Sequence, residues 1–361
     1  MNYRNRISYI WLSILLALVI VVSACSTSSP SASSTESRET EKKQINLKFA
    51  SSLPELHPIA QADKAFFKKI EEETNGQVKI TPYYGGVLIS GNEEYTELTK
   101  GVADLGYYSG SYINKGMEIE KSMRALFIGL PDGLKGAEMG REIYKELMKK
   151  FPQIAEEHSG LKTLAIAGRP PYHLLTKKKA VTKIDDLKGM KIKASGEYAK
   201  ILAKLGVEPI NMPMSETYTA VEKGIIDGVL APYETLKSFY LAEVVDYVTP
   251  LGFAIAPTPN TGMNLETYNS LPPDIQKVFD DNAEFWGKKI EEELYKADDV
   301  GIQFAKEKNV QFVDMNKEDL DILYDVAVEV LQEEMKKVDA VGKPGTEIFN
   351  EARRLIQNYT R

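Results

Sequence analysis

Short alternating stretches followed by amphipathic ones recur along this chain, and that order constrains its architecture more than any other feature. INLKFASS sets Ile45, Leu47 and Phe49 against polar neighbours, the period of two that puts alternate side chains on one face of a strand. In the next stretch, HPIAQADKAFFKKIEEETNG, Pro58 stands early, Ile59, Ala62, Phe66, Phe67 and Ile70 share a helical face, and Asn75-Gly76 is a stop. VKITPYYGG reads as a second strand, and EEYTELTKGVADLGYYS as a helix ending at Gly101 with a strand behind it. Strand and helix in turn predict an α/β lobe around a largely parallel sheet.

A second series begins at Leu161. LKTLAIAG, HLLTKKKAV and GMKIKAS read as strands and GEYAKILAKLG as a helix. MSETYTAVEKGIIDGVLAP is again helix then strand: Ser215 caps the first turn, Gly224 stops it, and Ile225, Ile226 and Val229 start the next strand. The tail is mostly helical, and its long helices fall outside both series, as struts across two lobes would. About 317 residues follow the polar N-terminal region, more than one hydrophobic core usually serves, so two lobes are expected. No internal repeat is present.

The first residues, MNYRNR, are a basic leader to the apolar run ISYIWLSILLALVIVVSAC, which is the layout of an export signal. A single membrane-spanning anchor is the competing reading, because the run approaches the roughly 20 residues that cross a bilayer. Val22-Ser23-Ala24-Cys25 resembles a bacterial lipobox, which implies cleavage before Cys25, a diacylglyceryl thioether on its sulfur and a lipid-tethered mature protein. STSSPSASSTESRETEKKQ then lacks the large apolar residues needed to bury anything and reads as a flexible stalk.

Composition removes several functions. With Lys+Arg at 45 against Asp+Glu at 52, the chain offers no basic surface for nucleic acid. The only cysteine is Cys25, and His57, His158 and His173 are far apart in sequence, so a Cys/His nucleophile or a soft metal site has no parts. There is no G-x-S-x-G elbow, H-E-x-x-H, Walker loop or G-x-G-x-x-G. Runs such as Glu71-Glu72-Glu73 read as solvated helix faces. The expectation is a protein that is not an enzyme and uses no cofactor or metal.

From Ile184 to Gly228 the chain reads DDLKGMKIK and then LGVEPINMPMSETYTAVEKGIIDGV, with Glu216, Tyr218, Ala220, Gly224, Asp227 and Gly228 at characteristic spacings. This resembles the solute-binding proteins of TRAP transporters, the DctP family. KFASSLPELHP, GVADLGYYSGS and MNLETYNSLPPDIQ extend the likeness over nearly the whole mature domain. The resemblance implies a two-lobe α/β fold of the periplasmic-binding-protein type (type II), closing on a ligand, with a long helix bridging the lobes. It implies an extracytoplasmic receptor that delivers a small organic anion to TRAP permease subunits; a monomer is the default expectation, which the sequence does not itself indicate. The expected layout is a signal peptide over 1–24, a stalk over 25–44, one lobe over 45–167 with about 256–298, and the other over 168–255 with about 299–361. The same cleft would serve the alternative, a ligand-loaded sensor docking on a histidine-kinase ectodomain.

Ligands in open α/β lobes sit beyond the carboxyl ends of the strands, where the last residue of GMKIK would face the cleft. In the family that position is an arginine gripping the substrate carboxylate; here it is Lys193, a point charge without the planar bidentate fork. The plain alternative is an exposed lysine at a strand end. Arg169 and His173, on the strand before, are the candidates for a second cation. Further positions carried over from the family are Met214, Ala231 and Phe253, the polar Ser52, Ser109 and Tyr112, and the aromatic walls Tyr108, Tyr172 and Tyr233. Taken singly, each aromatic or methionine is more often ordinary core packing. Together they predict a fairly apolar pocket for a small carboxylate, since a highly hydroxylated acid would leave buried hydroxyls unpaired at roughly 1 to 3 kcal/mol each.

Overall fold

A computed structural model of the chain describes residues 43–110, 116–257 and 259–360. The leader, the stalk up to residue 42, Cys25 and Tyr112 lie outside the described residues. In chain order the strands are β1 (Ile45–Ala50), β2 (Val78–Tyr83), β3 (Leu105–Tyr107), β4 (Leu161–Ile166), β5 (Arg169–Thr176), β6 (Lys191–Lys193), β7 (Glu208–Ile210), β8 (Gly228–Ala231), β9 (Tyr247–Ile255), β10 (Pro259–Asn264) and β11 (Gln311–Phe312). The helices are α1 (Pro58–Glu73), α2 (Glu94–Thr99), α3 (Glu118–Met123), α4 (Leu134–Lys150), α5 (Pro152–Glu156), α6 (Gly196–Lys204), α7 (Met214–Glu222), α8 (Thr235–Ser238), α9 (Leu265–Ser270), α10 (Pro273–Glu307), α11 (Lys317–Ala340) and α12 (Gly345–Thr360).

Local chemistry accounts for most of these limits. Helix α1 starts with Pro58, whose missing N–H falls where a helix has no partner for one, and the His57 ring accepts the Ile59 N–H at 3.2 Å. Its buried face is Ile59, Ala62, Phe66, Phe67 and Ile70, and the chain leaves it through Asn75 and Gly76 at φ of 50° and 76°. Two limits differ from the sequence reading. Ser215 lies inside α7, whose N-cap is Pro213 with no side-chain cap, and Ile225 and Ile226 belong to the turn before β8, which starts only at Gly228.

The strands form a five-stranded sheet, β2-β1-β3-β10-β4, and a six-stranded one, β11-β9-β5-β8-β6-β7. Neither is largely parallel: β10 runs antiparallel to β3 and β4, and β5 antiparallel to β8 and β9. The reason is topological, since β5 and β10 arrive from the opposite sheet, and no local βα crossover obliges them to run parallel to their neighbours. The chain thus crosses between sheets three times, at Ala167-Gly168, between β9 and β10, and along α10 on the way from β10 to β11.

Helix α10 spans both, at 35 residues and about 52 Å. Phe279, Trp286, Ile290 and Leu294 pack in the first sheet's core, where Trp286 stacks on Phe66 at 4.0 Å, and Ala305 joins the core under β8. The helices between β3 and β4 pack elsewhere: Ile119, Met123, Phe127, Ile143 and Tyr144 share a core with Ile192, Phe253, Met335 and Ile348. That route carries the end of α3 to the second sheet.

Candidate functional site

Lys193 ends β6, in register with Ile210 of β7 and Val229 of β8. The other end of β6 is pinned by Asp227, whose N–H donates to the Lys191 carbonyl at 2.7 Å and whose carboxylate accepts the Lys191 N–H at 2.8 Å. Gly228 lets β8 pass so near β5 that a Cβ there would collide with the Leu175 carbonyl. These two residues therefore fix the strand that presents Lys193. Glu216 is exposed on α7 and Tyr218 is half-buried there.

The Lys193 side chain is half-buried. Burial lowers its ammonium pKa to about 8, and the nearby Arg124 guanidinium pushes the same way. No carboxylate of the described residues figures among its partners. Arg124 follows the last turn of α3, and its carbonyl accepts the Ala256 N–H at 2.8 Å and the Tyr198 hydroxyl at 3.3 Å. Tyr198 stands in α6, just after Lys193 in the chain, and also donates to the Ala254 carbonyl at 2.8 Å. Tyr172 approaches Tyr198 with ring centroids 5.1 Å apart. Burial opposes the charge on Arg124, but Tyr172, Tyr198, Glu120 and Glu197 outweigh it and hold its pKa up.

The two expected second cations behave differently. His173 is 2% exposed and stacked flat on Tyr233, with centroids at 3.8 Å, opposite Ala231 in the β5–β8 register. Its Nδ1 accepts the Gly252 N–H at 3.5 Å, and burial lowers its pKa to about 3, so the ring is neutral. Arg169 is charged but sits where the sheets meet: its Nη2 donates to the Tyr107 hydroxyl at the end of β3 at 3.3 Å, and its carbonyl accepts the Tyr295 hydroxyl of α10. It faces half-buried His57, which burial and then Arg169 lower to about 4, and buried Glu234, which burial raises to about 7 against the pull of Ser238 and Arg169. A gap of about 10 Å³ beside Arg169 has room for a single water.

The remaining expected positions scatter. Phe253 is fully buried, in register with Tyr172, in the core. Ser52 donates its N–H to Glu94 at 2.8 Å, and burial raises that carboxyl to about 7. Tyr108 is fully buried with its hydroxyl 3.0 Å from His158, and Ser109 is half-buried beyond β3. Met214 borders an open groove of about 490 Å³ with Tyr218 and Tyr240.

The structure thus gathers Lys193, Arg124, Tyr172 and Tyr198, and sequence reasoning missed Arg124 and Tyr198. A signal for Arg124 existed: it is the lone charge in MRALFI, whose Met123, Ala125, Leu126, Phe127 and Ile128 are all buried. A lone arginine in such a run stands out, because arginine is rarely buried unless it is paired. Among the described residues no group of three or more His, Cys, Asp or Glu is placed to hold a metal, and no helix is long and apolar enough to cross a membrane.

Residues 49–337 match the family model described as bacterial extracellular solute-binding protein, family 7 (DctP). The chain is 27% identical over 217 residues to a monocarboxylate 2-oxoacid-binding periplasmic protein of Nostoc, covering 59% of this chain and 58% of that one. Among solved structures it is similar to a TRAP periplasmic solute-binding protein of Desulfovibrio salexigens, with 28% identity, a TM-score of 0.74 and coverage of 88% and 97%. It also shares the fold of a marine metagenome TRAP solute-binding protein specific for aromatic acids, solved with metahydroxyphenylacetate (24% identity, TM-score 0.78, coverage 88% and 100%).

Proposed function

The chain belongs to the DctP family of TRAP solute-binding proteins, and from that membership we propose that it binds a small, fairly apolar organic carboxylate between its two lobes and hands it to a permease. The family is extracytoplasmic, and its members are solute-binding proteins, not enzymes; they take small organic ligands and work with membrane permeases. For this chain the reading rests on one observation: a half-buried ammonium on Lys193, at a strand's carboxyl end, that faces another cation and no carboxylate of the described residues. A desolvated charge without a counterion is unfavourable, and an incoming anion would relieve it.

Tyr172, half-buried near Arg124 and packed on the buried Tyr198, favours a ligand with an apolar body. Two similar proteins, one specific for aromatic acids and one binding monocarboxylate 2-oxoacids, agree with such a ligand. Each lobe would be built around one sheet, hinging near residues 167 and 256, and would close by hinge bending as the ligand binds the closed form better. The proposal includes catalysis by neither lobe, a monomeric state, and export with lipid attachment at Cys25, which a Cys25→Ser variant would abolish, leaving the protein out of the membrane fraction.

The test is a thermal-shift screen with organic acids followed by calorimetry. One or more carboxylates should stabilise the protein, and Lys193→Met should weaken that acid by about 2 to 5 kcal/mol, as for loss of a buried charged hydrogen bond. A Lys193→Met protein that is folded and binds as wild type would overturn the assignment.

A further inference from the structure

We propose that Arg124 is the second cation of the ligand site, gripping the same carboxylate as Lys193 and supplying the planar donor fork that a lysine lacks. This deepens the reading of Lys193 as the carboxylate anchor and rests on it.

Backbone contacts and charge together bring Arg124 to the corner that Lys193 occupies. The β6–α6 turn carries Lys193 at its start and Tyr198 beyond it, and the Tyr198 hydroxyl reaches the Arg124 carbonyl at 3.3 Å. The strand β9 holds the same pair from the other side, through the Ala254 carbonyl on Tyr198, and the residue just past it, Ala256, donates its N–H to the Arg124 carbonyl. Arg124 and Lys193 also feel each other's charge, which depresses the lysine. Both residues are half-buried.

Two like charges brought together in a desolvated corner repel, and the ion pairs made by arginines among the described residues belong to Arg141 and Arg354. Glu120 and Glu197 act on Arg124 through space, but Glu120 lies against His158 and Tyr144 and Glu197 lies near Lys200. The guanidinium fork therefore stays available. A carboxylate has acceptor directions for both groups at once: a parallel pair of N–H bonds from arginine and a single bond from lysine. The alternatives are weaker, because His173 is neutral and Arg169 is committed to Tyr107 at the junction of the sheets. The ligand class follows: an organic acid whose carboxylate is held at one end by two cations, with its body toward the half-buried Tyr172 ring.

The experiment uses the mature lipid-free chain and a panel of benzoate, mandelate, pyruvate, succinate and galacturonate. The acid giving the largest thermal shift is titrated into wild type, Arg124→Gln, Arg124→Lys, Arg169→Gln and Lys193→Met, with circular dichroism of each unliganded variant as the folding check. Arg124→Gln should weaken binding roughly ten- to hundredfold. Arg124→Lys should recover only part of it, because it returns the charge without the fork. The methyl ester of the same acid should not distinguish Arg124→Gln from wild type. If Arg124→Gln binds as wild type while Lys193→Met does not, the inference is overturned and the carboxylate reading stands. Equal loss in Arg124→Lys and Arg124→Gln would also overturn it, as the fork would not be what the lysine fails to replace. A wild type that no acid of the panel stabilises would sink both.

Discussion

Burial lowers the pKa of the half-buried Lys193 to about 8, and the Arg124 charge adds to the shift. Two opposite pH effects follow. A lysine depressed in the folded state penalises folding fully below about pH 8, and the penalty fades as pH rises toward the unfolded value of about 10.4. Carboxylate binding needs the proton, so affinity should fall above about pH 8 and approach about tenfold per pH unit. Calorimetry across that window checks it, and Lys193→Arg should flatten the decline because arginine stays charged. A wild-type affinity indifferent to pH there would mean that the ligand does not see this charge. The sequence made Lys193 legible because a period-two run ended at a recognisable turn. Arg124 was not legible, since no spacing relates it to a strand far along the chain, and His173 read as a cation because its burial is a property of what packs on it.

Among the elements, α8 and α10 are joined by an acidic contact that no periodicity discloses. The Asp298 carboxylate of α10 accepts the Glu234 N–H at the start of α8 at 2.7 Å, and burial raises Asp298 to about 8 and Glu234 to about 7. A folded acid pKa above the unfolded one contributes stability at low pH and loses it as pH rises through the folded value. The protein should therefore lose stability from roughly pH 4, the unfolded carboxyl value, to about pH 8. Asp298→Asn keeps the acceptor oxygen and removes the charge, so its thermal midpoint should exceed that of wild type above pH 8 and match it near pH 4. Parallel midpoints at both ends would assign the raised titration elsewhere. Element types and order were readable from apolar spacing and from stops such as Asn75-Gly76. The start of β8 was not, because Ile225 and Ile226 have strand-forming side chains but occupy a turn set by Gly224 at φ 68° and by the register with β5.

At the scale of the molecule, the first crossing between sheets is clamped from two sides. Glu291 of α10 accepts the Gly168 N–H at 2.7 Å with one oxygen and pairs with Arg141 of α4 through the other, and a Cβ on Gly168 would stand 2.6 Å from that of Ala137. Glu291→Ala leaves a buried guanidinium and a backbone donor unpaired, so urea unfolding should show a loss of about 3 to 5 kcal/mol. Arg141→Met with Glu291→Met should regain most of it, and a double variant no better than the single one would show that the pair is not the source. By itself the sequence determined the succession of strands and helices, the family and the lysine at a strand's carboxyl end. All three are written in near-neighbour patterns of side-chain period, Gly and Pro stops and motif spacing. Only the tertiary structure decided that β5 and β10 enter their sheets antiparallel, that Arg124 lies near enough to Lys193 to act on its charge and that His173 is neutral. Strand pairing and the loss of water around a charge depend on which distant segments pack together.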